Sequence, residues 1–167
     1  MRTYPEHEQT AANLQHSYGR HFAMEDMTIP SEADWRSEPW SIDTPYAYKN
    51  FFGKNLAEAC DLFVKRARGS QEDLMAMPLA CFKYYLHAYI DYLLSDKSEH
   101  HGIAAYCFFG IVEYRTDDIR NSGEALRQRV LEVLHRIRTG QQWYGADIEI
   151  YGDFSVMAID AISLIDG

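Results

Sequence analysis

Lys83, His87 and Asp91 recur every four residues, so a helix would carry all three on one stripe. Those residue types suit acid–base or metal chemistry. Asp91 would orient His87, His87 would act as a base or metal ligand, and Glu113 would add a carboxylate. The same spacing equally suits the wet edge of a helix buried on its other faces. If the stripe points inward, its charges must be paired. A working centre requires the side chains to meet within about 3 Å in one concave pocket. Glu132 and His135 make half of a di-iron carboxylate pattern, but no second ExxH follows, and a surface pair explains them as well. His100 and His101 fall in a polar turn without zinc-site spacing.

The sequence has no GxSxG, no P-loop, no GxGxxG and no HExxH. No catalytic residue and no cofactor is therefore expected. Arg115, Arg120, Arg127 and Arg129 interleave with Glu113, Asp117, Asp118 and Glu124, the pattern of a solvated mixed face. Two other stretches combine aromatics with carboxylates. One holds Trp143, Tyr144, Asp147, Glu149, Tyr151 and Asp153; the other holds Asp34, Trp35, Glu38 and Trp40. Such mixtures form hot spots against a basic partner. They are equally consistent with aromatics that cover the end of a bundle while the acids stay wet.

The element that must position these groups is Pro78–Leu94, the most apolar and aromatic run of the chain. Leu79, Phe82, Leu86, Tyr89 and Leu93 fit helical spacing, and Tyr85, Ala88 and Tyr92 widen the buried face. Pro78 suits a first helical position. The run is too short and too polar to span a membrane. Before it, Asn55 and Glu58 predict a capped helix that Gly69 ends, with Ser70 capping the next segment up to a kink at Pro78. After it come a polar connection at Asp96–His101, a buried helix at Gly102–Tyr114 and an amphipathic helix at Glu124–Thr139. For the last stretch, a closing helix over 153–165 competes with a hairpin turning at Gly152–Asp153; the helix is favoured, with 141–152 as loop or a short turn of helix.

Residues 1–50 carry eight acids and four basic residues. A short helix around Glu6–Ser17 is expected there. Pro30, Pro39 and Pro45 predict no regular helix between Thr28 and Tyr48, but an irregular arm whose tryptophans dock on the body. The expected architecture is all-α: an irregular bundle of five to six helices over 51–167, preceded by an extended arm over 1–50.

The net charge of −9 on 167 residues disfavours nucleic acid and favours a basic protein partner. Three cysteines without a CxxC pair predict buried free thiols, and with an N-terminus lacking an apolar signal core they predict a cytoplasmic protein.

FFGKNLAEACDLF, then SQEDLMAMP, then the aromatic helix ending YLLSD resemble a group of small acidic bacterial proteins with an FGK–L–EA opening and a QEDLM–M middle. WYGADIEIYGD is similar in flavour. The resemblance covers about half of the chain, leaves out residues 1–45 and implies no activity. Two functions of different class follow. One is a non-enzymatic binding protein, specifically an immunity protein that neutralises a basic toxin through its acidic and aromatic loops. The other is a metal-dependent or small-molecule enzyme centred on Lys83, His87 and Asp91.

Overall fold

The computed structural model describes residues 27–167. The expected helix at Glu6–Ser17 lies outside them. Among the described residues there are nine α-helices and no strand: α1 Glu32–Trp35, α2 Thr44–Phe51, α3 Leu56–Met75, α4 Leu79–Leu94, α5 Gly102–Tyr114, α6 Thr116–Arg120, α7 Glu124–Thr139, α8 Ile148–Tyr151 and α9 Phe154–Asp166. The fold is an all-α bundle.

Helix α4 is the centre, buried over most of its circumference from Cys81 to Leu93. It packs on α3 and α7; α3 also packs on α5, and α9 closes the bundle over α7 and α5. Its tyrosines keep their hydroxyls bonded inside the core, as buried polar groups must be. Tyr85 donates to the Phe51 carbonyl at 2.6 Å and Tyr89 to the Ala104 carbonyl at 2.6 Å, while Tyr92 meets His101 Nδ1. Phe63 stacks on Tyr89 with ring centres 4.3 Å apart, which locks α3 to α4.

Asn55 and Glu58 form the expected reciprocal cap, both bonds 2.9 Å. The end of that helix differs from expectation. Gly69 does not terminate it and Ser70 does not cap a new one. The break lies at Arg66, whose φ of −153° and ψ of 57° leave the helical region. Ser70 instead reaches back over the break, donating to the Leu62 carbonyl at 3.3 Å. A Cβ at Gly69 would sit 2.8 Å from the Arg66 guanidinium, the far end of a flexible side chain that can shift aside.

The arm also differs. Proline density does not prevent helix between Thr28 and Tyr48, because Pro45 falls in the first turn of α2, where no N–H is needed. Ser31 and Asp34 make a capping box around α1. Trp35 is fully buried against Tyr48 and Tyr85. Trp40 is half-buried and donates its indole N–H to the Trp35 carbonyl at 2.6 Å.

The hairpin alternative near the C-terminus is overturned. Asp147 accepts from the Glu149 N–H at 2.8 Å and Asp153 from the Ser155 N–H at 2.8 Å, so each acid starts a helix. Arg115 leaves the expected solvated strip: it is 8% exposed and inserted between α3, α4 and α6. The three thiols are free, with Cys81 and Cys107 buried. No described helix is long and apolar enough to cross a membrane.

Candidate protein-binding face

The Lys83–His87–Asp91 stripe faces the seam between α4 and α7. Arg129 of α7 closes it, with Nη1 2.6 Å from His87 Nδ1 and Nη2 2.5 Å from Asp91 Oδ1. Burial, then the neighbouring guanidinium, pull the His87 pKa down to about 4. His87 is thus a neutral acceptor whose Nδ1 lone pair is already occupied. Lys83 is half-buried, while Glu113 and His135 are exposed. Among the described residues no three His, Cys, Asp or Glu side chains are grouped to hold a metal ion. The arrangement works as a clamp between two helices, a partner that spacing within α4 alone does not reveal.

A pH dependence follows. The His87 pKa is depressed on folding, from about 6.5 to about 4, so the stability it contributes is complete above pH 6.5 and is lost as pH falls through 4. Thermal unfolding followed from pH 7.5 to 4 should show a slope that His87→Gln reduces. Identical slopes in both proteins would rule the clamp out.

The arm residues serve internal bonds. Asp34 caps α1, and its hydrogen bonds from Ser31 hold its carboxyl below the usual range. Glu38 accepts from the Leu79 N–H at 2.7 Å, capping α4 from outside that helix. Trp35 is core. Trp40 lies under the Arg36 guanidinium at 4.8 Å.

The C-terminal stretch is different in kind. Residues 141–167 contain five acids (Asp147, Glu149, Asp153, Asp160, Asp166) and no Lys, Arg or His. They also display aliphatic side chains to solvent: Ile150 is 74% exposed and Ile148 55%, and Val156, Ile159 and Leu164 are exposed on α9. Val156, Ile159, Asp160 and Ser163 share one face of α9, while Phe154, Ala158, Ala161 and Ile165 bury the other.

This face rests on a fixed platform. Tyr144, expected on the surface, is fully buried and donates to the Leu93 carbonyl at 2.8 Å. Trp143 is half-buried beneath the Arg136 guanidinium at 4.5 Å. Gln141 clamps the junction of α8 and α9, donating to the Gly152 carbonyl at 2.8 Å and accepting from the Phe154 N–H at 3.0 Å. Gly102 lets the loop approach α5, since a Cβ there would lie 3.0 Å from Ala146 Cα. Asp147, Glu149 and Asp153 are exposed as expected. Sequence reasoning missed the isoleucines, whose signal was an apolar pair alternating with Asp147 and Glu149. Comparison with family models, curated proteins and solved structures finds no match to this chain.

Proposed function

We propose that the protein is a non-enzymatic binding protein whose C-terminal face holds a basic protein partner. In its specific form, the partner is an effector or toxin that the protein neutralises as an immunity protein does. One observation carries the reading: a segment with five acids and no basic residue also exposes Ile148, Ile150, Val156 and Ile159 on a rigid platform. Exposed aliphatics supply the desolvated centre of an interface, and carboxylates around them steer a cationic partner and reject an acidic one. Three unpaired cysteines suit a reducing cytoplasm.

The test is capture of the partner by the tagged full chain from its host, followed by titration calorimetry. Glu149→Lys with Asp160→Lys, and separately Ile150→Asp, should each weaken binding at least about tenfold, the effect of a lost charge or apolar contact in an interface. Unfolding midpoints should stay unchanged, because these exposed side chains cap nothing. Asp147 and Asp153 are avoided, since replacing them would remove helix caps. Wild-type affinity in both variants would sink the proposal for this face. Stoichiometric loss of the partner's activity on binding is the expected sign of a neutralising role.

A further inference from the structure

Helix α9 has the composition of an interior helix and the position of an outer one. Nine of its 13 residues are apolar, and its only charged residues are Asp160 and Asp166. A helix apolar around most of its circumference belongs between two layers. Helix α5 has a similar composition and is buried along most of its length. By contrast α9 buries one side alone, with Phe154, Ala158, Ala161 and Ile165, where it packs on α7, α5 and α6. On its other side Val156 is 54% exposed, Ile159 46% and Leu164 43%.

The outward row has the spacing of a helix-packing face. Val156, Ile159, Asp160 and Ser163 stand at i, i+3, i+4 and i+7. Ser163 Oγ donates back to the Ile159 carbonyl at 2.9 Å, so its hydroxyl is spent within the helix and Asp160 is the one charge left in the row. An extended segment would need a sheet edge to pair with, and the described residues contain no strand. The charge then says which helix fits. Residues 141–167 hold five acids and no Lys, Arg or His. Asp166 has Arg127 3.7 Å away and still keeps its side chain 54% exposed. A helix with cations on either side of an apolar row complements this surface, and an acidic one does not.

We propose that the outer flank of α9 docks a single amphipathic α-helix of the partner. Its apolar row packs on Val156 and Ile159, and flanking Lys or Arg residues meet Asp160 and Asp166. The proposal rests on the reading of the C-terminal face as a surface for a basic protein, and it names the element of that protein which the face takes.

The probe is a fluorescein-labelled peptide of about 18 residues, long enough to form a helix once seated. It carries leucines at i, i+3, i+4 and i+7 and lysines elsewhere. A second peptide of the same composition has its leucines moved off that spacing. Titrated into the full chain at physiological salt, the first should bind one to one, at least about tenfold more tightly than the second. It should gain helix by circular dichroism and shift the α9 amides in NMR. Val156→Gln with Ile159→Gln leaves charge and caps untouched, and should weaken the first peptide at least about tenfold at an unchanged unfolding midpoint. Asp160→Asn should weaken it and flatten its salt dependence. Equal affinity for the two peptides would reduce the interaction to net charge and overturn the proposal. Wild-type affinity in the double glutamine variant would do the same, as would a dimer of this chain that the variant dissociates. A captured partner separates the two readings. If Ile150→Asp weakens that partner while the double glutamine variant binds it at full strength, the binding face stands and the helix on α9 falls.

Discussion

Replacing Arg115 with methionine is expected to lower the unfolding free energy by about 1–3 kcal/mol, the range for leaving buried hydrogen-bonding groups without their partner. Nη1 of Arg115 donates to the Met75 carbonyl at 3.1 Å and the Met77 carbonyl at 2.9 Å. Those carbonyls lie at and just past the end of α3, where the helix leaves acceptors without internal partners. Nε lies 2.5 Å from the Asp118 carboxylate but outside hydrogen-bonding geometry, and the guanidinium sits 4.1 Å above the Phe82 ring. One side chain therefore ties the end of α3 to α4 and α6. Methionine keeps much of the volume but leaves the two carbonyls without their donor. Lysine keeps the charge but not the planar fork, so Arg115→Lys should fall between wild type and Arg115→Met. Replacing Asp118 as well, in Arg115→Met with Asp118→Leu, should recover little of the loss, because the Asp118 side chain is 35% exposed and stays hydrated without Arg115. Urea unfolding of wild type, Arg115→Met, Asp118→Leu and the double variant forms a double-mutant cycle. A loss below about 1 kcal/mol in Arg115→Met would be that of an ordinary surface substitution and would contradict the buried position.

Arg115 also shows where sequence reading stops. The charges around it alternate in sign over Glu113–Glu124, which resembles a wet surface. Its acceptors lie 38 and 40 residues away, and only the docking of α3 against α5 brings them close. Local signals fared better. The Asn55–Glu58 cap, the apolar rows of α4 and the amphipathic stripe of α7 are each encoded within one or two turns, and each forms where expected. The break at Arg66 is hidden because Gly69–Ser70 is the stronger local stop signal, and the helix nevertheless continues through it.

The candidate face divides in the same way. Asp147, Glu149 and Asp153 are legible as exposed acids because charge predicts exposure well. Aromatic residues are not legible in this sense. Tyr144 and Trp35 fill the core while Ile148 and Ile150 stand in solvent, reversing the simplest assignment of anchor and filler. Whether a tyrosine in a loop seals a bundle or offers itself to a partner is decided by whether a buried carbonyl waits for its hydroxyl. For Tyr144 that acceptor is the Leu93 carbonyl, 51 residues away. His87 and Asp91 likewise acquired their meaning from Arg129, on another helix.

Trp35→Ala should cost about 3–5 kcal/mol, the range for truncating a fully buried large aromatic. Its ring meets Tyr48 edge-on at 5.3 Å and approaches Tyr85 at 6.3 Å, joining the 27–51 segment to the central helix. The loss should appear first as faster hydrogen exchange in α2, which depends on that anchor. Trp35→Phe separates the ring from its polar handle. The indole Nε1 is buried without a hydrogen-bond partner among the described residues. Phenylalanine removes that unsatisfied donor, a relief of about 1–3 kcal/mol, and leaves only a small void. Trp35→Phe should therefore lie close to wild type in urea unfolding and retain slow exchange in α2. Equal losses in the two variants would mean that the indole N–H is bonded in solution and that shape alone does not anchor this segment.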